Sequence, residues 1–291
     1  MCLCLNCIAD PSLFRINRIS PPRVRGICAY CGASDVPVLR LEGFHDPARR
    51  SLLTWRRWCE AAKREPAKVS EYAEMFYDLA VDLSGLATVL RAGRILYRAR
   101  RGCHAHPDGK RIPYEREDIG APPEGKRQAG RANREGRAVL YCADQEQTAV
   151  AEVRPGRGQL VSVCEARVCN DTKVLDLSAS LDRGPLPVEQ AFPWLEILGF
   201  LRAFEAELAH PLERDDAPSD YLPCQRFAES VEGHGVLGLR YRSSVHPGGA
   251  NLVLFDPASA EILDSKLVQV TDTRIEYDVR PRGLFLPGVA E

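Results

Sequence analysis

No stretch of this chain is apolar over the length a bilayer crossing requires. Its opening residues, Met-Cys-Leu-Cys-Leu-Asn-Cys, have neither a basic leader nor a long hydrophobic core. Both absences point to a cytoplasmic protein without a membrane partner. A net excess of one charge is missing too: 39 Lys and Arg stand against 40 Asp and Glu, leaving −1. Internal repeats and low-complexity tracts are absent, and a 45% hydrophobic content is ordinary for a folded soluble chain. Aromatic residues are sparse at 7% and are not interleaved with the basic ones, as a base-stacking platform requires. A nucleic-acid-binding module therefore stands only as a non-enzymatic alternative.

Cysteine is plentiful, at 11 residues. The odd number, the size of the chain and the scatter of Cys59, Cys103, Cys142, Cys164, Cys169 and Cys224 argue against a disulfide framework and for reduced thiols. The remaining cysteines form a pattern. Cys4-Leu-Asn-Cys7 and Cys28-Ala-Tyr-Cys31 are two knuckles, each supplying two thiolates from one tight turn, and together they make a closed tetrahedral zinc site. A site with four sulfurs leaves no open position for substrate, so Cys4, Cys7, Cys28 and Cys31 are expected to hold a structural zinc ion. Cys2 leaves the register of the first knuckle open.

The organisation expected is a zinc-ribbon-like head over residues 1–45, a helical segment over 46–90, and a large α/β domain of α+β type over 91–291. In the helical segment, Leu52, Leu53, Trp55, Trp58 and Ala61, then Tyr72, Met75, Phe76, Leu79, Leu83 and Leu86, recur at three- and four-residue intervals, and Pro66 separates the two runs. From Ile95 the character changes to strand. A polar loop rich in Pro and Gly is expected over 102–130, strands at 138–143, 160–163 and 172–177, and a helix at 144–153 ending before Pro155. Helices follow at 191–208 and 221–231, then strands at 238–241, 250–255, 260–270 and 274–279. Between Arg91 and Arg137 basic residues outnumber acidic ones roughly twofold, which suits an anionic partner or a solvated basic face.

Three segments stand together as a candidate site: Leu96-Tyr97-Arg98-Ala99-Arg100; Gly130-Arg131-Ala132-Asn133 leading through Leu140-Tyr141 to Ala151-Glu152-Val153-Arg154-Pro155; and Leu239-Arg240-Tyr241-Arg242-Ser243-Ser244 leading to Pro247-Gly248-Gly249-Ala250-Asn251. In type and order they resemble the RES domain, a family named for its Arg, Glu and Ser, here Arg98, Glu152 and Ser243. The likeness covers roughly residues 90–285, and the head is similar to the cysteine ribbon and short HEPN-type helical segment found in some RES proteins.

The resemblance implies an ADP-ribosyltransferase-like fold and an activity on NAD, cleaving or phosphorolysing the nicotinamide–ribose bond, in a toxin that an antitoxin or regulatory protein restrains. A homodimer is a further expectation. Breaking that bond builds positive charge on the ribose, which a carboxylate stabilises more in the transition state than in the ground state, and Glu152 is the candidate. Arg98 offers a rigid fork to a phosphate oxygen. Ser243 would bind substrate or orient Glu152. Tyr141, Arg131, Asn133 and Gln225 are the candidate NAD-binding residues.

Bland alternatives stand beside each: Glu152 as a helix-end carboxylate paired with Arg154, Ser243 as turn chemistry with Ser244 equally placed, and Tyr141 as core. The acceptor of the ADP-ribosyl group stays open among water, phosphate and a macromolecule, the last being the transferase alternative. Arg98 and His104 match the spacing of a HEPN ribonuclease pair, but that chemistry needs both residues on a helix and Arg98 falls in a strand pattern. Cys103, His104 and His106 lack an evident fourth metal ligand nearby and read as polar loop.

Overall fold

The computed structural model describes residues 2–4, 25–26, 33–40, 47–64, 86–178, 188–210 and 218–273. Three short strands, β1 (Cys2–Cys4), β2 (Arg25–Gly26) and β3 (Val36–Arg40), make a small antiparallel sheet in the order β1-β3-β2. Helix α1 (Pro47–Arg64) follows. Cys7, Cys28 and Cys31 lie outside the described residues, as do the helical run expected at 72–83 and the strand expected at 274–279. The described helices include none long and apolar enough to cross a membrane.

The principal sheet has eight strands: β4 (Ala87–Leu90), β5 (Ile95–Arg101), β8 (Leu140–Ala143), β9 (Leu160–Val168), β10 (Thr172–Asp176), β11 (Gly238–Arg242), β12 (Ala250–Leu254) and β13 (Ala260–Gln269). Their order is β13-β9-β5-β8-β12-β11-β10-β4, antiparallel except where β10 runs parallel to β11. The helical reading extended to residue 90, but Ala-Thr-Val-Leu forms an edge strand, its two β-branched residues paired against β10. The expected loop is also more structured than its composition suggested, with a hairpin of β6 (His104–Ala105) and β7 (Arg111–Ile112) and a single helical turn, α2 (Arg116–Ile119).

The link between β4 and β5 dictates the shape of the sheet. The two strands stand five positions apart, which on a flat sheet is about 24 Å at about 4.8 Å per strand. The five Cα steps from Leu90 to Ile95 reach at most about 18 Å. The sheet must therefore curl back on itself, and its inner face closes on Leu90, Leu96, Leu140, Cys142, Ala166, Val168, Val174, Leu252, Leu254 and Ala260. Burial pushes the Cys142 thiol up to about 12 and the Cys164 thiol to about 11, because the thiolate has no solvent there.

The other face packs against α1, α4 (Val188–Ala209) and α5 (Pro218–Gly233) through Leu175, Leu239, Tyr241 and Val253. An aromatic cluster joins the three helices: Trp55 and Trp58 of α1 meet Phe200 and Phe204 of α4 and Phe227 of α5 at centroid distances from 4.6 to 6.0 Å. Trp58 is 0% exposed, and its indole N–H donates to the Pro223 carbonyl at 3.0 Å. The division expected at residue 90 thus runs through one sheet and one core. Removing the Trp58 side chain takes out the centre of that cluster. Trp58→Ala is expected to lower the free energy of unfolding by about 3–5 kcal/mol, measured by denaturant titration; a loss below about 1 kcal/mol would show that α1 is an appendage.

Candidate active site

Glu152 is the last residue of helix α3 (Glu146–Glu152). The helix stops there because Pro155 disfavours helical backbone before it, and Arg154 takes a left-handed conformation with φ 46°. At the other end of the segment, Asp144 ties the start of α3 to β12. Its backbone N–H donates to the Ala250 carbonyl, and its Oδ1 accepts the Ala250 N–H, both at 3.0 Å. Arg240 bridges Asp144 and Asp176 at 3.0 and 2.9 Å, so β8, β10 and β11 are held together beside the site.

The Glu152 carboxylate is met by two donors on the same oxygen. Ser243 Oγ donates to Oε1 at 2.7 Å, and Asn251 Nδ2 donates to Oε1 at 2.7 Å. Oε2 accepts no hydrogen bond among the described residues. The Ser243 hydroxyl is itself fixed, since its oxygen accepts the backbone N–H groups of Val245 and His246 at 3.2 and 3.0 Å. Its neighbour Ser244 donates to the Ala209 carbonyl at 2.6 Å. Of the two adjacent serines, then, Ser243 is the one on Glu152, and Arg154 is not its partner.

Arg98 lies on β5, where its Nε donates to the Ile119 carbonyl at 2.5 Å and a terminal nitrogen donates to the Tyr141 carbonyl at 2.8 Å. It anchors α2 and β8 from one side chain. Tyr141, Asn133 and Gln225 converge on a different task. Tyr141 Oη donates to Asn133 Oδ1 at 2.9 Å and accepts the Ala132 N–H at 3.2 Å. Asn133 Nδ2 donates to the carbonyls of Gln128, Arg134 and Arg137, and Gln225 Nε2 donates to those of Gly130 and Asn133. Their polar atoms clamp the 130–137 loop, and burial pushes the Tyr141 phenol up to about 12. Arg131 is buried, its guanidinium over the Tyr221 ring at 5.0 Å and facing His210 at 3.3 Å.

Much of the basic stretch is paired: Arg91 with Asp171, Arg134 with Glu229 and Arg137 with Glu232. His104 and His106 pair with Asp118 and Asp108, and no group of three metal-ligating side chains occurs among the described residues. A groove of about 770 Å³ runs along α3, lined in part by Gln147, Ala151, Arg154, Val245 and Val268; Glu152 and Ser243 are not among its lining residues.

Asn251 carries no role in the sequence analysis. Asn251 was visible as the one polar side chain in Ala250-Asn-Leu-Val-Leu-Phe255, a run whose interior is fully buried.

The RES domain model matches residues 95–278. The chain belongs to the RES family. One solved structure similar to this RES chain is the M. tuberculosis MbcT–MbcA toxin–antitoxin complex, at 17% identity over 66% of this chain and 92% of that one, with a TM-score of 0.36. No curated protein matches the chain.

Gly249 is required for the loop that carries Ser243. The loop closes through Ser243 N–H to the Gly249 carbonyl at 3.0 Å, and a Cβ on Gly249 would stand 2.1 Å from Thr148 Oγ1 and 2.8 Å from His246 Nδ1. Gly249→Ala should cost about 1–3 kcal/mol of stability, and adding Thr148→Ala should return most of it. Unchanged stability in the single variant, or no recovery in the double, would contradict this reading.

Proposed function

We propose that this RES protein consumes NAD by breaking the nicotinamide–ribose bond, as a glycohydrolase or phosphorylase, and serves as the toxin-type component of a toxin–antitoxin or defence system. The observation that carries the reading is the Glu152 carboxylate, held at Oε1 by Ser243 and Asn251 while Oε2 has no partner among the described residues. Departure of nicotinamide leaves an oxocarbenium-like ribose, and a carboxylate oxygen already oriented stabilises that charge without reorganising when it forms. In this reading Glu152 acts on the ribose and Ser243 positions it. Arg98 keeps guanidinium donors beyond the two spent on carbonyls and offers them to the pyrophosphate. The acceptor is water or inorganic phosphate.

Glu152→Gln preserves an oxygen for Ser243 and Asn251 but removes the charge. NAD loss is expected to fall by about 10²–10³-fold, with the unfolding transition unchanged. Incubating both proteins with NAD, with and without phosphate, and weighing the products tests this: ADP-ribose names water as acceptor, its 1-phosphate names phosphate, and a wild-type rate in the variant removes the mechanism. A macromolecular acceptor would appear instead as a mass increase on added protein or nucleic acid.

The proposal includes a structural zinc ion at Cys4, Cys7, Cys28 and Cys31, on the strength of their spacing. Elemental analysis of the purified chain should return about one zinc per molecule, lost in Cys28→Ser with NAD turnover retained. Absence of zinc from the freshly purified chain would refute it.

A further inference from the structure

Two residues beyond the end of α3, Arg154 has the left-handed backbone, φ 46°, on which many helices terminate. Glycine is the ordinary residue at such a point, because a Cβ is strained there. Here an arginine takes it. Its side chain is exposed and, among the described residues, pairs with no carboxylate, unlike those of Arg240 and Arg242. The guanidinium belongs to the wall of the groove of about 770 Å³ that runs along α3.

That volume falls within the range of about 300–1,000 Å³ usual for small-molecule clefts. Val150 and Ala151 of α3, Val245 of the 243–249 loop, and Val268 and Val270 in and just after β13 give the groove an apolar surface of half-buried side chains. Its charged groups are few. Glu146 is spent on Lys266 at 2.7 Å. Asp272 holds one oxygen on the Thr273 N–H at 2.9 Å and has a second to offer. A carboxylate accepts from a pair of ribose hydroxyls, a guanidinium takes a phosphate, and alkyl side chains pack against a planar base, so the lining matches the parts of a nucleotide.

The groove also adjoins the reacting end of the site. The Val245 N–H donates to Ser243 Oγ, the hydroxyl that donates to Glu152 Oε1, and Ala151 precedes Glu152 in α3. The helix wall and the loop wall are thus joined by the Ser243–Glu152 bond.

We propose that this groove binds the adenosine half of NAD, with the adenine on the valines, the adenosine ribose at Asp272 and the adenosine phosphate on Arg154. The inference rests on the NAD reading given above. It lays the substrate along α3, with the nicotinamide ribose at Glu152 and the adenine beyond Arg154.

Calorimetric titration with ADP, which carries the adenosine and both phosphates but no bond to nicotinamide, tests the groove apart from turnover. Arg154→Gly is expected to weaken ADP about five- to tenfold, with an unfolding midpoint at or above wild type because glycine adopts this backbone freely. Arg154→Lys, which keeps the charge, should retain most of the affinity. In turnover, Arg154→Gly should raise the KM for NAD by a similar factor and leave that for nicotinamide mononucleotide, which has no adenosine, where it was. No ADP binding to wild type, equal ADP affinity in wild type and Arg154→Gly, or an equal rise in KM on both substrates would overturn the inference. The two levels separate. If wild type binds ADP through Arg154 but consumes no NAD, the functional reading falls and the groove stands as an adenine-nucleotide site; if NAD is consumed and Arg154→Gly changes neither ADP affinity nor KM, only the role of the groove falls.

Discussion

The arrangement of the site turns on one oxygen atom. Glu152 Oε1 receives a hydroxyl from the loop after β11 and an amide from β12, while the carboxylate itself comes from the end of α3. Three segments that are remote in sequence are brought to a single acceptor, and none of the donors can easily turn away. Ser243 is held by two backbone N–H groups, and Asn251 is buried in a strand paired on both sides. On the proposed reading, fixing a carboxylate in this way would take its orientation out of the activation step, so that the second oxygen would meet developing charge without first having to be placed. The cost falls on the loop, whose Gly249 must approach Thr148 more closely than any side chain permits.

Around that oxygen, arginines do structural work that the same residue type could have spent on ligand. Arg240 spans Asp144 and Asp176, and Arg242 wraps the Glu205 carboxylate with its backbone N–H, Nε and a terminal nitrogen. Glu205 is 3% exposed on α4 and also pairs with Arg202 at 3.2 Å, so losing Arg242 would leave a buried carboxylate with one of its two arginines. These forks set the distance between the helical layer and the strand that leads into Ser243. The same layer depends on α1, which lies before the residues the family model matches. Trp55 and Trp58 fill the space between α4 and α5, and the RES sheet is covered on that face by a helix from outside the matched segment.

Most of the sheet was legible in the sequence. The strands from β5 onward announce themselves as short apolar or alternating runs between turn residues, and the helix at Val188–Ala209, expected over 191–208, is a long and mostly apolar run. The exceptions are short and at the margin. Ala87–Leu90 follows a helical pattern and is too brief to carry a period of its own, and β6 and β7 have two residues each. At the site, Glu152 and Ser243 could be singled out because a motif marks them. Which partner each polar residue would choose could not be read, since Tyr141, Asn133 and Gln225 have the chemistry to bind either a dinucleotide or a loop. Their selection of the loop depends on the register of β8 and the position of α5, and the choice between Ser243 and Ser244 depends on a one-residue difference in facing.

That ambiguity has a physical resolution. A polar side chain that supports the fold is one whose donors and acceptors are all met within it, because the folded state otherwise carries the desolvation cost. Tyr141 satisfies that condition through Asn133 and Ala132. Glu152 is half-buried and held at Oε1 alone, so a ligand reaching Oε2 would displace no hydrogen bond made by the described residues.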